Sequence, residues 1–362
     1  MTNSSQPKRK GASLLHRIVS PFRPNTRYPP KYLDLTGKTA LVTGTTSGLG
    51  LEACRQLLSH GVSQLIMSAR TEIKGEAVAA ELRYQYPQAD IQVWVLEMEA
   101  YDSVIAFAEH AAVHLDRLDM VILNAGTLEP EASVSPYTDN ETMFQVNYLS
   151  TALLAKLLVP VLKIIPPEGE PSRLTVITTG FYNPHKDKFS LPDFEDMCRT
   201  ELLEDGFRAK MKRFRQSKRF LQPYLSMLAA VVNPDEVIIN LVTTHMIRDT
   251  QLTKKSMHKG WFRRKLRVMH TLVGRTLETG AAAYIDAVAV KGKESHGETL
   301  SLCRSIPSTM GCCKPPEWQD FERHLWDMTE LEFHSLFVDS QTLGAKIYNA
   351  SMVEDWRKLL QT

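Results

Sequence analysis

The chain is poor in cysteine. It has five, at Cys54, Cys198, Cys303, Cys312 and Cys313, and their spacing fits neither a metal site nor a disulfide framework. Cys312 and Cys313 are adjacent, which suits two thiols on a loop better than a bridge. An odd count with no secretory signal fits a reducing compartment, so a cytoplasmic location is expected. Net charge is also lacking. The 43 Lys and Arg stand against 41 Asp and Glu, a formal +2, which gives no argument for nucleic acid. No apolar run reaches the length of a membrane span, so no transmembrane segment is expected. There is no internal repeat. What remains is the composition of an ordinary globular protein, 43% hydrophobic and 23% charged over 362 residues. That length suits one large domain or two small ones.

Residues 1–30 hold Ser, Lys, Arg and the five prolines Pro7, Pro21, Pro24, Pro29 and Pro30, and read as a disordered basic arm. Leu14, Leu15, Ile18 and Val19 could form a short amphipathic turn at a membrane surface; a plain tail is the simpler reading. From Tyr32 onward, apolar runs alternate with helical patterns. Strands are expected at Thr39–Thr43, Gln64–Ala69, Ile91–Leu96, Met120–Leu123, Leu174–Thr178 and Val237–Val242, with a seventh near Glu298–Cys303. Helices are expected at Leu51–His60, Glu72–Tyr86, Tyr101–Leu115, Asn140–Ile165 and Arg208–Val232, the third capped by Asp102 and Ser103. Pro166, Pro167, Gly169 and Pro171 form a stiff loop before the fifth strand. This alternation predicts an α/β fold with a single doubly wound parallel sheet of the Rossmann type. It would span 31–310, followed by a helical C-terminal extension, 311–362, that carries Trp318, Trp326 and Trp356.

The stretch Thr43-Gly44-Thr-Thr-Ser47-Gly48-Leu49-Gly50 lies between the first strand and first helix. A tight turn there leaves backbone N–H groups pointing outward at a helix N-terminus, a site for phosphate. Glycine lets the backbone approach a pyrophosphate closely.

Further motifs stand in order: Asn124-Ala-Gly126, Asn147 within Phe-Gln-Val-Asn-Tyr, Ser217-Lys218, and Glu294-Ser-His-Gly-Glu-Thr-Leu-Ser301. With the glycine turn, they make the chain resemble a short-chain dehydrogenase/reductase. More narrowly, it is similar to the retinol-dehydrogenase-like branch abundant in fungal natural-product pathways. The resemblance runs from about Leu35 to Pro307. It implies a nicotinamide dinucleotide bound by Gly44, Ser47, Gly48, Leu49, Gly50, Asn124 and Gly126, with a small-molecule substrate. The second strand ends in Ala69, where NAD-preferring relatives place an acid for the ribose 2′-OH. Arg70 follows and Lys74 is one helical turn on, a pair suited to a 2′-phosphate, so NADP(H) is expected. Glu97 stands where the family has an Asp against adenine.

The catalytic half departs from the family. There, a Tyr moves the alcohol proton, a Lys four residues later lowers its pKa and binds the nicotinamide ribose, and a Ser holds the carbonyl. Here Tyr-x-x-x-Lys reads Phe214-Arg-Gln-Ser-Lys218, so the Lys remains and the phenol is gone. Thr179 takes the serine position, Asn147 keeps its place in the proton relay, and a later Pro-Gly reads Thr244-His245. Tyr224 lies ten residues beyond Phe214, about 15 Å along an unbroken helix and on another face, so it is no substitute. Tyr182, with His185 nearby, could replace the phenol; an ordinary loop aromatic is the plainer reading of it.

Two basic runs, Arg208–Arg219 and Lys254–Arg267, could face the cleft and favour an anionic substrate; solvated helix faces are the simpler reading. Relatives often pair through the helices that correspond to Asn140–Ile165 and Arg208–Val232, so a homo-oligomer is possible, although the basic run opposes it. The leading expectation is an NADP(H)-dependent oxidoreductase acting on a carbonyl or alcohol. The alternatives are a nucleotide-binding pseudoenzyme and a non-redox dehydratase or cyclase.

Overall fold

The computed structural model describes residues 29–30, 32–129, 131–164, 170–179, 207–244, 247, 274–301, 303–306, 316–338 and 342–350. Several expectations lie outside them: nearly all of the basic arm, Pro166, Pro167 and Gly169, Tyr182, His185, His245, the second basic run, Cys198, Cys312, Cys313 and Trp356.

The strands are β1 (Thr39–Val42), β2 (Gln64–Ala69), β3 (Asp90–Val95), β4 (Met120–Leu123), β5 (Ser172–Thr179), β6 (Val237–Thr244), β7 (Thr299–Ser301) and β8 (Arg304–Ser305). They form one eight-stranded sheet in the order β3-β2-β1-β4-β5-β6-β7-β8. All pairings are parallel except that of β7 with β8, a short antiparallel edge that sequence patterning does not reveal. Two residues with one apolar neighbour give no periodicity to detect. Every residue of β1 and β4 is buried, as expected where helices cover both faces. The chain order reverses between β1 and β4, which puts a crevice at their carboxyl ends.

On one face lie α1 (Gly48–Ser59), α2 (Glu72–Gln85) and α7 (Leu277–Ile285), built around Leu57, Leu58, Leu82, Tyr284 and Ile285. On the other lie α3 (Tyr101–His114), α4 and α6 (Leu221–Ala230). Helix α4 opens with the turn Thr142–Phe144, widens into a π-turn over Gln145–Leu149 and continues as Ser150–Ile164. Its segment Thr142–Lys163 combines the length and apolarity of a membrane-crossing helix, which a search for uninterrupted apolar runs does not detect. The apolar window is wholly buried inside the protein, so its apolarity serves the core.

Two local expectations are corrected. The predicted helix Arg208–Val232 is two helices, α5 (Phe207–Arg219) and α6, joined at Phe220. Pro223 has no N–H and fits the first turn of a new helix better than the middle of one. Asp102 and Ser103 are not caps, because α3 starts at Tyr101 with Ala100 preceding it. Ser103 Oγ instead accepts the N–H of Glu97 (2.9 Å) and fixes the turn after β3.

Two further helices, α8 (Pro316–Ser335) and α9 (Leu343–Ala350), dock on α3, α4 and α6. Trp318, Phe321, Leu325 and Phe333 join the same apolar cluster as Tyr148 and Leu228. Trp326 stacks on Tyr224 at 4.9 Å between ring centres.

Candidate functional site

The turn after β1 is held from two directions. Gly44 N–H donates to Ser68 Oγ (3.2 Å), and Thr45 donates to Ser68 O through its N–H (3.3 Å) and its hydroxyl (3.0 Å). On the other side, Thr43 Oγ1 accepts the N–H groups of Asn124 and Ala125, both at 3.0 Å. Asn124 Nδ2 returns bonds to Thr43 O (3.0 Å) and Gly44 O (3.3 Å), and Tyr284 OH donates to Asn124 Oδ1 (3.3 Å). Thr43, Thr45, Ser68 and Tyr284 thus set the turn. Sequence reasoning missed those roles, because an isolated hydroxyl whose partner is distant in sequence carries no motif.

Gly44 and Gly48 have φ of +71° and +63°, in the left-handed region. Their environments differ from that of Gly50. A Cβ on Gly50 would come within 2.3 Å of Gly44 O, whereas one on Gly48 would meet nothing within 4 Å. Gly50 therefore closes the turn, and Gly48 faces open space. Ser47 precedes α1, its hydroxyl makes no cap bond, and the first turn has no acid. The first N–H groups of a helix have no partner within it, so an anion would be welcome here. Leu49 packs on α7, where a Cβ on Gly280 would come within 2.7 Å of Leu49 Cδ2. Gly48→Val should abolish dinucleotide binding, because its side chain would fill the open space over the turn. The left-handed φ should cost about 1–2 kcal/mol of stability. Circular dichroism and nucleotide fluorescence on one sample check this, and unchanged affinity in a folded variant would make Gly48 merely conformational.

At the end of β2, Arg70 is more than half exposed and its Nη1 lies 4.0 Å from Glu99 Oε1. Sequence reasoning overlooked Glu99. Burial pushes its carboxyl up, with a further contribution from Glu97, while Arg70 acts against them. Glu97 turns back on its own loop, where Oε1 accepts Glu99 N–H (3.1 Å). Lys74 is exposed on α2.

At the carboxyl ends of β4 and β5, Lys218 Nζ donates to Ala125 O (3.1 Å) and Ile177 O (3.3 Å). Burial alone pulls its pKa down to about 8. Thr178 Oγ1 donates to Lys218 O (2.7 Å) and ties α5 to β5. Asn147 sits in the π-turn, a local widening that often marks functional positions. Its Oδ1 accepts Thr127 N–H (2.8 Å), and its Nδ2 donates to Thr127 O (2.9 Å) and Ser217 Oγ (3.1 Å). Ser217 Oγ donates on to Phe214 O (3.0 Å). A Cβ on Gly126 would lie 3.0 Å from Asn147 Oδ1, Lys218 Cε and Lys218 Nζ, so a side chain there would crowd both groups. The structure therefore brings together Gly126, Asn147, Ser217 and Lys218, with the half-buried Phe214 one turn before Lys218 and Thr179 at the end of β5. Tyr224 points away and donates to Glu330 Oε1 (2.9 Å).

The first basic run is not a solvated face throughout. Lys210, Arg213 and Lys218 are buried, while Lys212 and Arg215 are exposed. Arg213 Nε lies 3.8 Å from Glu141 Oε1, and Lys210 feels the charge of Glu129. Thr127 Oγ1 also bonds Glu129. Burial pushes the Glu141 carboxyl up to about 7, while Arg213 and the N–H of Phe144, at 2.7 Å, act against it. Arg213 and Lys210 thus answer internal carboxylates, which weakens the case for an anionic substrate.

Comparison with known proteins agrees with this geometry. Residues 38–178 match the family model described as short chain dehydrogenase. The chain is 38% identical over 317 residues to short chain dehydrogenase/reductase mfmJ of Annulohypoxylon moriforme, covering 86% of this chain and 89% of that one. It is 36% identical over 313 residues to short chain dehydrogenase virL of Hypocrea virens, covering 84% and 88%. Among solved structures, a short chain dehydrogenase from Escherichia coli CFT073, complexed with NADPH, superposes with a TM-score of 0.55 at 19% identity. It covers 76% of this chain and 99% of that one. The chain belongs to the short-chain dehydrogenase/reductase family.

Proposed function

We propose that this protein is an NADP(H)-dependent oxidoreductase that acts on a carbonyl or alcohol of a natural-product intermediate. The observation that carries the reading is the convergence of Lys218, Asn147 and Gly126 beside the open N-terminus of α1. A dinucleotide fits these residues. Open space over Gly48 faces the helix N-terminus, and nothing but hydrogen lies on Gly126 between Asn147 and Lys218. When bound, the reduced nicotinamide supplies a hydride. The backbone of the Gly44–Gly50 turn holds the pyrophosphate, Asn124 and Gly126 border the adenosine and nicotinamide sides, and Lys218 holds the nicotinamide ribose. Thr179 positions the substrate oxygen, while Asn147 keeps the loop of Gly126 and Thr127 in register. The fungal short chain dehydrogenases among its relatives favour this substrate class.

Arg70 favours the phosphorylated cofactor. A 2′-phosphate can take its guanidinium bidentately, whereas Glu99 holds it only at 4.0 Å. The neighbouring E. coli structure contains NADPH. NADPH should bind more tightly than NADH, and Arg70→Ala should remove about 1.5–3 kcal/mol of that preference. Calorimetric titration of both nucleotides tests this, and equal affinities in the unmodified protein would sink it. Phe214 favours a second reading, a nucleotide-binding pseudoenzyme or a non-redox enzyme, since it removes the hydroxyl with which relatives move the proton.

A further inference from the structure

Resting on the NADP(H) reading, we infer that Glu99 is a specificity-determining residue: it competes with the cofactor's 2′-phosphate for Arg70, which narrows the preference for NADPH and keeps NADH acceptable. Three observations carry this. First, Glu99 is the carboxylate that Arg70 meets among the described residues, with Nη1 4.0 Å from Oε1. Ala69 leaves the end of β2 without an acid, but the fold returns one beside Arg70 from the loop after β3. Second, the two partners are held unequally. The Glu99 side chain is 18% exposed, against 58% for Arg70. The backbone of Glu99 is pinned on both sides, since its N–H donates to Glu97 Oε1 (3.1 Å) and its carbonyl accepts Ser135 Oγ (2.9 Å). The carboxylate is therefore a fixed post, and the guanidinium on its long exposed stem is the group that changes partner. Third, the other charges nearby are attached elsewhere. Glu97 is turned onto the N–H of Glu99, Glu129 is bonded by Thr127, and Lys74 is exposed on α2. Burial, Glu97 and Glu129 all push the Glu99 carboxyl up, and Arg70 is the cation that opposes them.

Two arrangements follow from this pairing. With NADH, whose ribose carries no phosphate, Arg70 stays against Glu99 and neither charge is stranded. With NADPH, Arg70 leaves Glu99 for a bidentate grip on the 2′-phosphate, and Glu99 loses its cation. Specificity is a difference of two affinities, so a penalty that falls on NADPH alone narrows it.

The test is calorimetric titration of NADPH and NADH into the unmodified protein, Glu99→Gln, Arg70→Ala and the double variant. A pH of about 8 keeps the carboxylate ionised. Adenosine 2′,5′-bisphosphate and 5′-AMP repeat the comparison without a nicotinamide, so the outcome does not depend on turnover or on Phe214. Glutamine keeps the size of the side chain and drops the charge. Glu99→Gln should tighten NADPH about three- to fivefold and leave NADH within about twofold, and the gain should vanish when Arg70 is alanine. Glu99→Ala, which drops the same charge, should widen the preference in the same direction. Equal tightening of both nucleotides would be a general charge effect and overturns the inference, as does a gain that persists without Arg70. A preference that depends on Arg70 but ignores both Glu99 variants overturns this inference alone. If the unmodified protein binds NADPH and NADH alike and Arg70→Ala changes neither, the NADP(H) reading falls and takes this inference with it.

Discussion

Phe214→Tyr is expected to raise reductive turnover by about a hundredfold. A positioned acid contributes roughly 10²–10⁴ in rate, and the expected gain is set at the low end of that range. The side chains around Phe214 are firmly held. Lys218 is fixed by two carbonyls, Asn147 is pinned at both ends of its amide to Thr127, and Ser217 links Asn147 to the backbone of Phe214. NADPH consumption with a panel of ketones measures the effect. No gain in a variant that still binds nucleotide would favour the pseudoenzyme or non-redox reading.

Glu330→Ala should destabilise the protein by about 3–5 kcal/mol, because it strands a buried cation. Lys156 on α4 is fully buried and bonds to Glu330 on α8. The same carboxylate accepts Tyr224 OH and Tyr348 OH, each at 2.9 Å. Lys156 Nζ also lies over the Tyr348 ring at 4.1 Å and the Trp326 ring at 5.6 Å. Burial pulls the Lys156 pKa down and Glu330 pushes it up, so loss of Glu330 leaves desolvation unopposed. Removing both charges together should cost less than stranding one, since no uncompensated charge remains and the residual loss is that of the acceptor for Tyr224 OH and Tyr348 OH. Denaturant unfolding of Lys156→Met, Glu330→Leu and the double variant Lys156→Met/Glu330→Leu, beside Glu330→Ala, would measure this, and additive losses in the cycle would show that the pair is not coupled.

Much of the outline of this protein is legible in the order of its residues. Strands β1, β2 and β4 are continuous apolar runs, and the glycine turn follows β1 immediately, because covalent order alone places it at the head of α1. The break at Phe220 is harder to see. Helical periodicity continues across it, and Pro223 is compatible either with a kink or with a new first turn. Ser103 misleads for a related reason. A serine near a helix start suggests a cap, but its partner here is Glu97 N–H in the preceding turn.

The sequence by itself determined the strand–helix alternation, the glycine turn, the acid-free end of β2 and the phenylalanine four residues before Lys218. Each is a matter of which residue follows which. Only the tertiary structure decided which charges are buried and what answers them. Lys210, Arg213 and Lys218 read as one basic run, yet each is buried against a different neighbour: Glu129, Glu141, or carbonyls alone. Lys156 and Glu330 are separated by 174 positions and still share a hydrogen bond. The energy of a charge depends on the solvent it loses and the groups it meets through space, and neither is written in the local order of residues.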